Sequence, residues 1–296
     1  MSILWIQNNT NIKYIEIMKT SRREFLTMSG AGLLAASVPG ISAMASTTST
    51  NLSKFSFDLG IASYTFRKFS LEDTLKMTKR LGITRIGFKS FHLPLDASDE
   101  LIASTVAKCK EAGINLYGGG VIYMKTKEEV DNAFEYAKKA GMSMIIGVPG
   151  HELLSYTEEK VKKYGIKLAI HNHGPGDDLY PSAESAYKLI KGMDPGMGLC
   201  IDIGHTKRIN RDPEKDLIDY FDRVFDIHIK DVTAASKEGS TCEVGRGVID
   251  IPAFLKTVVK MKYDATLAFE YEKDADDPFP GLSESVGYVR GVLATM

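Results

Sequence analysis

The segment Lys163-Tyr-Gly-Ile-Lys-Leu-Ala-Ile-His-Asn-His173 carries the pattern that decides the fold. It completes a helical stretch that we predict over Glu152–Tyr164, and Gly165 stands where a left-handed residue commonly ends a helix. The apolar run after this glycine predicts a buried β-strand over Lys167–His173. Helix, glycine and strand therefore form one unit, and its repetition along the chain would define the architecture.

This unit recurs. Gly82, Gly113 and Gly141 also follow predicted helices directly and precede predicted strands. The eight predicted strands are Phe57–Ser63, Arg85–Lys89, Asn115–Gly118, Met144–Val148, Lys167–His173, Gly198–Asp202, Val224–Lys230 and Ala265–Glu272. Helices are predicted over Ser70–Leu81, Ser98–Ala112, Lys127–Ala140, Glu152–Tyr164, Ser182–Lys191, Pro252–Met261 and Leu282–Ala294.

Alternation of strands with helices is typical of βα units around a parallel sheet. Eight such units within residues 46–296 match the roughly 250 residues of one eight-fold barrel. A doubly wound open sheet is the competing architecture, but no Gly-x-Gly-x-x-Gly follows the first strand. The sequence therefore predicts an α/β protein with a single (β/α)8 TIM barrel over residues 56–296.

The N-terminal residues have the features of an export signal. Ser21-Arg-Arg-Glu-Phe-Leu26 is a twin-arginine pattern, and the apolar stretch Met28–Ser37 is too short and too rich in glycine to span a bilayer. We predict a twin-arginine signal over residues 1–45, with Met18 as the better start, and a flexible mature N-terminus over 46–55. The protein would be periplasmic, without a stable membrane anchor. A first amphipathic helix is the alternative, but no apolar face supports it.

Composition excludes several classes of protein. The 296 residues are 44% hydrophobic and 25% charged, with a formal net charge of −1, which is typical of a globular chain rather than a disordered one. The charge balance and the lack of a basic cluster argue against a nucleic-acid partner. Cys109, Cys200 and Cys242 are widely spaced, which excludes a disulfide framework and a zinc knuckle.

Alternation within the strands locates the polar side chains. In Val224–Lys230 the apolar residues share one face, so Asp226, His228 and Lys230 are expected to point into the barrel. The same rule predicts an inward face for polar residues of three other strands. These residues are His171, His173, Asp202, Glu270 and Glu272.

These inward residues lie at the C-terminal ends of the later strands, where TIM barrels build their active sites. Imidazoles and carboxylates that converge on one mouth need a counter-charge, because an unpaired buried charge costs several kcal/mol. A divalent cation would supply it. Histidine and carboxylate ligands without cysteine suit Mn, Zn, Co or Mg.

Four short motifs resemble those of the xylose isomerase-like barrels grouped as sugar phosphate isomerases and epimerases. They are Ile201-Asp-Ile-Gly-His205, His228-Ile-Lys-Asp231, Gly245-Arg-Gly-Val-Ile-Asp250 and Phe269-Glu270, one in each of successive βα units. The resemblance extends over Phe57–Val292. It implies a sugar-directed enzyme on a TIM barrel.

The resemblance also implies a metal site. In that family the metal is typically held by a Glu on a middle strand, the Asp of the sixth strand, the His of the seventh and the Glu of the eighth. The last three correspond here to Asp202, His228 and Glu270.

The fourth ligand departs from the family pattern, because strand four carries no carboxylate and strand five carries His171-Asn-His173. We predict His173 as the ligand, since it lies nearer the predicted strand end. His171, Asp177 and Asp178 are the alternatives. Loss of one Glu also weakens the case for an epimerase mechanism with two opposed metal-bound carboxylates.

The chemistry implied by the resemblance is proton abstraction next to a carbonyl, through an enediolate, on a free or oxidised sugar. Glu270 or a histidine such as His171 would be the base. Lys230 would contact a substrate oxygen, or else form a salt bridge with Glu270 or Glu272. Arg246, in a loop flanked by glycines, would close over the substrate.

Other polar residues are candidates for contact with the sugar. Lys89, His92 and Glu272 are the predicted substrate-binding residues, and His205 would contact the substrate or orient metal ligands. A solvated loop position is the alternative for Lys89 and His92.

Three other functions compete with that of an isomerase or epimerase. A lyase or dehydratase would eliminate from a keto-sugar, keto-glycoside or inosose and needs only one proton abstraction; an upstream sugar dehydrogenase would make such a substrate. A non-catalytic sugar-binding protein would use aromatic platforms at Phe66, Phe91, Tyr180 and Tyr271. A DNA-repair endonuclease would need a basic face. The oligomeric state, a homo-oligomer included, stays open.

Overall fold

The computed structural model describes residues 54–296, so the predicted export signal over residues 1–45 lies outside the described residues. Eight parallel strands close into a barrel in which each strand pairs with its neighbours in sequence and the first pairs with the last. The strands are β1 Asp58–Ala62, β2 Arg85–Phe88, β3 Asn115–Met124, β4 Met144–Pro149, β5 Lys167–His171, β6 Met197–Asp202, β7 Val224–Ile229 and β10 Thr266–Phe269. The predicted (β/α)8 barrel is confirmed.

Nine α-helices are present within residues 54–296. They are α1 Leu71–Arg80, α2 Asp99–Glu111, α3 Lys127–Lys139, α4 Leu154–Tyr164, α5 Ala183–Ile190, α6 Ile203–Arg208, α7 Pro213–Asp219, α8 Ile251–Lys260 and α9 Phe279–Ala294. A small antiparallel ribbon, β8 Asp231–Val232 and β9 Thr241–Cys242, follows β7. No helix among these is long and apolar enough to cross a membrane.

Local sequence explains where the helices begin and end. The side chains of Ser70, Ser98 and Thr126 accept hydrogen bonds from backbone N–H groups in the first turns of α1, α2 and α3. Gly165 ends α4 with a φ of 64°, a left-handed conformation that costs glycine little. The three other predicted helix-ending glycines also have positive φ, as expected from the sequence.

The core has two parts. Apolar side chains on the outer face of the barrel, such as Leu168, Ile170 and Ile227, pack under the helices in one large cluster. The barrel interior holds a smaller cluster lined by Tyr117, Met144, Ile146, Ala169 and Cys200. This interior layer is the floor of the site described below.

Besides β10, which stops at Phe269 instead of the predicted Glu272, two strands end at places that the sequence pattern did not predict. β3 continues to Met124 instead of stopping at Gly118, because the Gly118-Gly-Gly120 run permits an irregular register with β4 rather than ending the strand. β5 stops at His171 instead of His173. Both differences change which side chains reach the C-terminal mouth of the barrel.

Candidate active site

Four buried side chains converge at the C-terminal mouth of the barrel. His171 ends β5, Asp202 ends β6, His228 lies near the end of β7 and Glu270 follows β10. One nitrogen or oxygen of each lies within 4.8 Å of the corresponding atoms of the other three. His171 Nε2 is 3.1 Å from His228 Nδ1, which is 3.2 Å from Glu270 Oε2. We refer to these four residues as the mouth cluster.

Asp202 is held by contacts on both of its sides. Its Oδ1 accepts a hydrogen bond of 2.7 Å from the His205 backbone N–H and so caps α6, while Oδ2 lies 3.7 Å from His171 Nε2. Asn172 accepts from the Asp202 backbone N–H and donates to its backbone carbonyl. Sequence analysis missed Asn172, although a polar residue on the outward parity of a buried strand was an available signal.

Lys230 is the cation of the site. It is buried, and its Nζ lies 2.9 Å from Asp202 Oδ2, 2.9 Å from Glu270 Oε2 and 2.8 Å from Glu272 Oε1. Burial alone would lower the pKa of Lys230, but the three carboxylates raise it well above its usual value. Of the two predicted roles, the geometry shows the salt bridge, and it involves Asp202 as well as both glutamates.

The same charges set the ionisation of the cluster. Burial opposes ionisation of Glu270, yet Lys230 and His228 hold its pKa well below the usual range. The pKa of Asp202 is also lowered, against burial, by Lys230. Burial lowers the pKa of His171 to about 4. Near neutral pH the site therefore presents two carboxylates and a neutral His171 imidazole.

Below the mouth cluster, Asp226 faces the far side of the His228 ring. Asp226 Oδ2 lies 3.7 Å from His228 Nε2 and accepts a hydrogen bond of 3.0 Å from Tyr117 Oη. His228 Nδ1 points the other way, toward Glu270. His228 Nε2 is buried without a hydrogen-bond partner, and burial raises the pKa of Asp226 to about 7.

The cluster fits a divalent cation. With ligand atoms about 2.1 Å from one ion, neighbouring donors lie about 3.0 to 3.4 Å apart, close to the shortest separations found here. Asp202 Oδ2 is buried without an aligned hydrogen-bond donor. Asp202, Glu270 and Glu272 face one ammonium, so the carboxylates outnumber the lysine. Against the effect of burial, the negative charge of Glu270 also raises the pKa of His228. A divalent ion would balance this excess of negative charge.

A pocket of about 310 Å³ opens above the mouth cluster. His171 and Glu270 of the cluster line it together with Lys89, Tyr123 and His173. Burial lowers the pKa of Lys89 and raises that of Tyr123. The complete lining is Tyr64, Lys89, Val121, Tyr123, His171, His173, His205, Glu270 and Glu272.

The structure brings His171, rather than the predicted His173, together with the other three residues of the cluster. Because β5 ends at His171, His173 lies beyond the strand, where its Nε2 is 3.0 Å from Tyr123 Oη. The alternative ligand Asp177 accepts from the backbone N–H groups of Leu179 and Tyr180 within its loop. The geometry therefore favours His171 as the fourth ligand and places His173 on the pocket wall.

Two other predicted residues do not line this pocket. Arg246 forms a surface ion pair with Glu284, with 62% of its side chain exposed. His92 is buried and its ring nitrogens meet the hydroxyls of Ser63 and Thr74. Lys89, His205 and Glu272 line the pocket, and the contact of all five residues with a substrate stays a prediction.

Three pocket residues were not predicted from the sequence. Val121 and Tyr123 reach the mouth only because β3 extends past its glycine run, and Tyr64 lies in a short 3₁₀ helix after β1. The alternation of Tyr123 with buried Ile122 and Met124 was a signal for the longer strand. The aromatic residues proposed for a sugar-binding protein were different ones, of which Tyr180 is wholly buried.

A family model described as "Xylose isomerase-like TIM barrel" matches residues 75–291. The chain belongs to this family. In this xylose isomerase-like barrel the mouth cluster lies at the C-terminal ends of successive strands, where TIM barrels build their active sites. Among curated proteins, none matches the sequence.

Solved structures similar to this xylose isomerase-like barrel include an uncharacterised protein from Parabacteroides distasonis ATCC 8503. It is 30% identical, with a TM-score of 0.64 over 80% of this chain and 99% of that one. An L-ribulose 3-epimerase is 16% identical, with a TM-score of 0.66 over 80% and 95%. A probable 3-DHS dehydratase from Bacillus anthracis is 11% identical, with a TM-score of 0.65 over 78% and 98%. The last two likenesses show a shared fold.

Proposed function

We propose that the protein is a metal-dependent sugar isomerase or epimerase that abstracts a proton next to a carbonyl. The mouth cluster carries this proposal, because it places a buried, ionised Glu270 beside two imidazoles and Asp202, and its Glu270 and His171 line the pocket. Family membership and the likeness to an L-ribulose 3-epimerase support the choice of a sugar substrate.

The residues divide the work as follows. Glu270 accepts the substrate proton, and Lys230 holds the carboxylate in place at 2.9 Å. His171, Asp202, His228 and Glu270 would hold the divalent ion. When bound, that ion supplies Lewis-acid polarisation of a carbonyl and its neighbouring hydroxyl, which acidifies the C–H between them. Tyr123 and His173, paired at 3.0 Å, line the same pocket and would return a proton.

Elimination from a keto-sugar or keto-glycoside is the second candidate. Among the residues that line the pocket, the only carboxylates are Glu270 and Glu272, and Lys230 binds both of them. The same pocket is lined by Lys89, Tyr123 and His173. One carboxylate base in a pocket with neutral or cationic proton donors suits a reaction that removes one proton and protonates a leaving group. The likeness to a probable dehydratase is consistent with this.

Solvent exchange tests the proposal. The Mn-loaded protein, incubated in deuterated water with a panel of sugars and keto-sugars, should place deuterium on the carbon next to the carbonyl, as followed by NMR. Isomerisation or epimerisation leaves the carbon skeleton and its hydroxyls intact, whereas elimination releases a group. A protein that binds sugars on the panel but exchanges no proton would be a sugar-binding protein, and the proposal would fail.

We also propose export to the periplasm, supported by Arg22 and Arg23 in the twin-arginine pattern. Residues 18–50 fused to a folded reporter should carry it across the inner membrane, as measured by cell fractionation. Replacing both arginines by lysine should stop this, because the export machinery reads the arginine pair. Unchanged export of the lysine version would rule out the signal.

A further inference from the structure

A second cavity lies beside the pocket and shares two of its lining residues. It measures about 380 Å³, and His205 and Glu272 line both spaces. Its other lining residues include Arg208 at the end of α6, together with Ser240 and Thr241 at the start of β9. Each space alone is near the lower end of the range of about 300 to 1,000 Å³ for ligand sites. A substrate with two parts would occupy both.

Among the cationic side chains that line this second cavity, the two lysines form ion pairs and Arg208 does not. Lys230 is bound by three carboxylates, and Lys273 Nζ lies 2.7 Å from Glu243 Oε1. Arg208 has no carboxylate within 4.0 Å among residues 54–296. Its Nη2 donates to the Lys237 carbonyl at 2.9 Å, and its Nε is buried without a hydrogen-bond partner. The buried Nε is closed to a ligand, but the guanidinium lines the cavity and its charge has no carboxylate partner, so it can bind an acidic group from outside the chain.

We propose that the second cavity binds a carboxylate group of the substrate through Arg208, while the mouth cluster holds the reacting part. This inference rests on the proposed function, because it assigns the substrate class of the same site: an acidic sugar or acidic glycoside. Arginine presents planar, parallel N–H groups that match a carboxylate. The hydroxyls of Ser240 and Thr241 add partners for sugar hydroxyls.

A phosphate is the other anion to consider. Phosphate sites in proteins commonly combine several donors, such as backbone N–H groups at a helix start or more than one cationic side chain. Here Lys230 and Lys273 are already paired and Glu272 adds a negative charge to the lining. One unpaired guanidinium suits the single charge of a carboxylate.

The experiment compares binding of D-glucuronate, D-glucose and glucose 6-phosphate to the Mn-loaded full chain by calorimetry. We expect glucuronate to bind at least about tenfold more tightly than glucose, the usual advantage of a charge-assisted hydrogen bond. R208Q should remove this preference, and R208K should keep part of it, because the charge stays while the planar fork is lost. K256Q, which removes an exposed charge on α8, is the matched control and should keep all of it.

Several outcomes would overturn the inference: no preference for glucuronate, a preference that survives R208Q, or tighter binding of glucose 6-phosphate than of glucuronate. A preference abolished by D202N and kept by R208Q would place the carboxylate at the mouth cluster and overturn the inference while leaving the proposed function standing. A preference that depends on Arg208 in a protein that exchanges no substrate proton would support this anion site and refute the proposed function.

Discussion

Glu270→Gln should lower the rate of solvent deuterium exchange into substrate by at least about 100-fold, the usual contribution of a positioned general base. Glutamine keeps the size of the side chain but cannot accept the proton. It also removes one of the three negative charges that lie 2.8 to 2.9 Å from Lys230 Nζ. The rate should be measured by NMR in deuterated water with saturating Mn and with the metal content determined on the same sample.

Glu72→Gln is the matched control for this variant. Glu72 forms an exposed ion pair with Lys108, and the same exchange of carboxylate for amide should leave turnover unchanged there. A Glu270→Gln protein that binds metal and keeps its exchange rate within threefold of wild type would show that another group is the base. The neutral imidazole of His171 would then be the first to examine.

His171→Ala should weaken binding of a divalent ion by at least about 100-fold, while His173→Ala should change it by less than tenfold and lower turnover instead. Loss of one of four ligands opens the coordination sphere, and His171 is the residue whose Nε2 lies 3.1 Å from His228 Nδ1. His173 Nε2 is instead 3.0 Å from Tyr123 Oη on the pocket wall. Titration calorimetry with Mn measures both affinities.

His151→Ala is the control, because His151 is exposed and its Nε2 meets the Leu179 carbonyl away from the mouth cluster. It should leave metal affinity and turnover as in wild type. A larger loss of metal affinity in His173→Ala than in His171→Ala would contradict this assignment and support His173, the fourth ligand predicted from the sequence.

The barrel was predictable because its signals are local. Helix-ending glycines such as Gly165 need a left-handed conformation wherever the chain turns from helix to strand, and strand alternation fixes which side chains face inward. Asp202, His228 and Glu270 followed from that alternation and from the family motifs. All three lie together in the structure.

The fourth ligand and three of the pocket residues could not be predicted, because they depend on where strands end and on partners that are distant in the sequence. The parity of His171 and His173 is the same, so only the end of β5 at His171 separates them. A run of three glycines predicts the end of a strand, so Val121 and Tyr123, at the C-terminal end of β3, were not predicted to reach the mouth. For Arg246, the deciding partner is Glu284, 38 residues further along the chain.

Titration of metal-free protein with Mn, with bound metal and substrate deuterium exchange followed together, tests the central claim most directly. The mouth cluster offers four donor side chains around one position, so exchange should rise in proportion to bound metal and reach its maximum at one ion per chain. In Asp202→Asn both curves should shift to much higher Mn concentration. Full exchange in the presence of a chelator, or saturation of the site without exchange on any keto-sugar, would contradict the account.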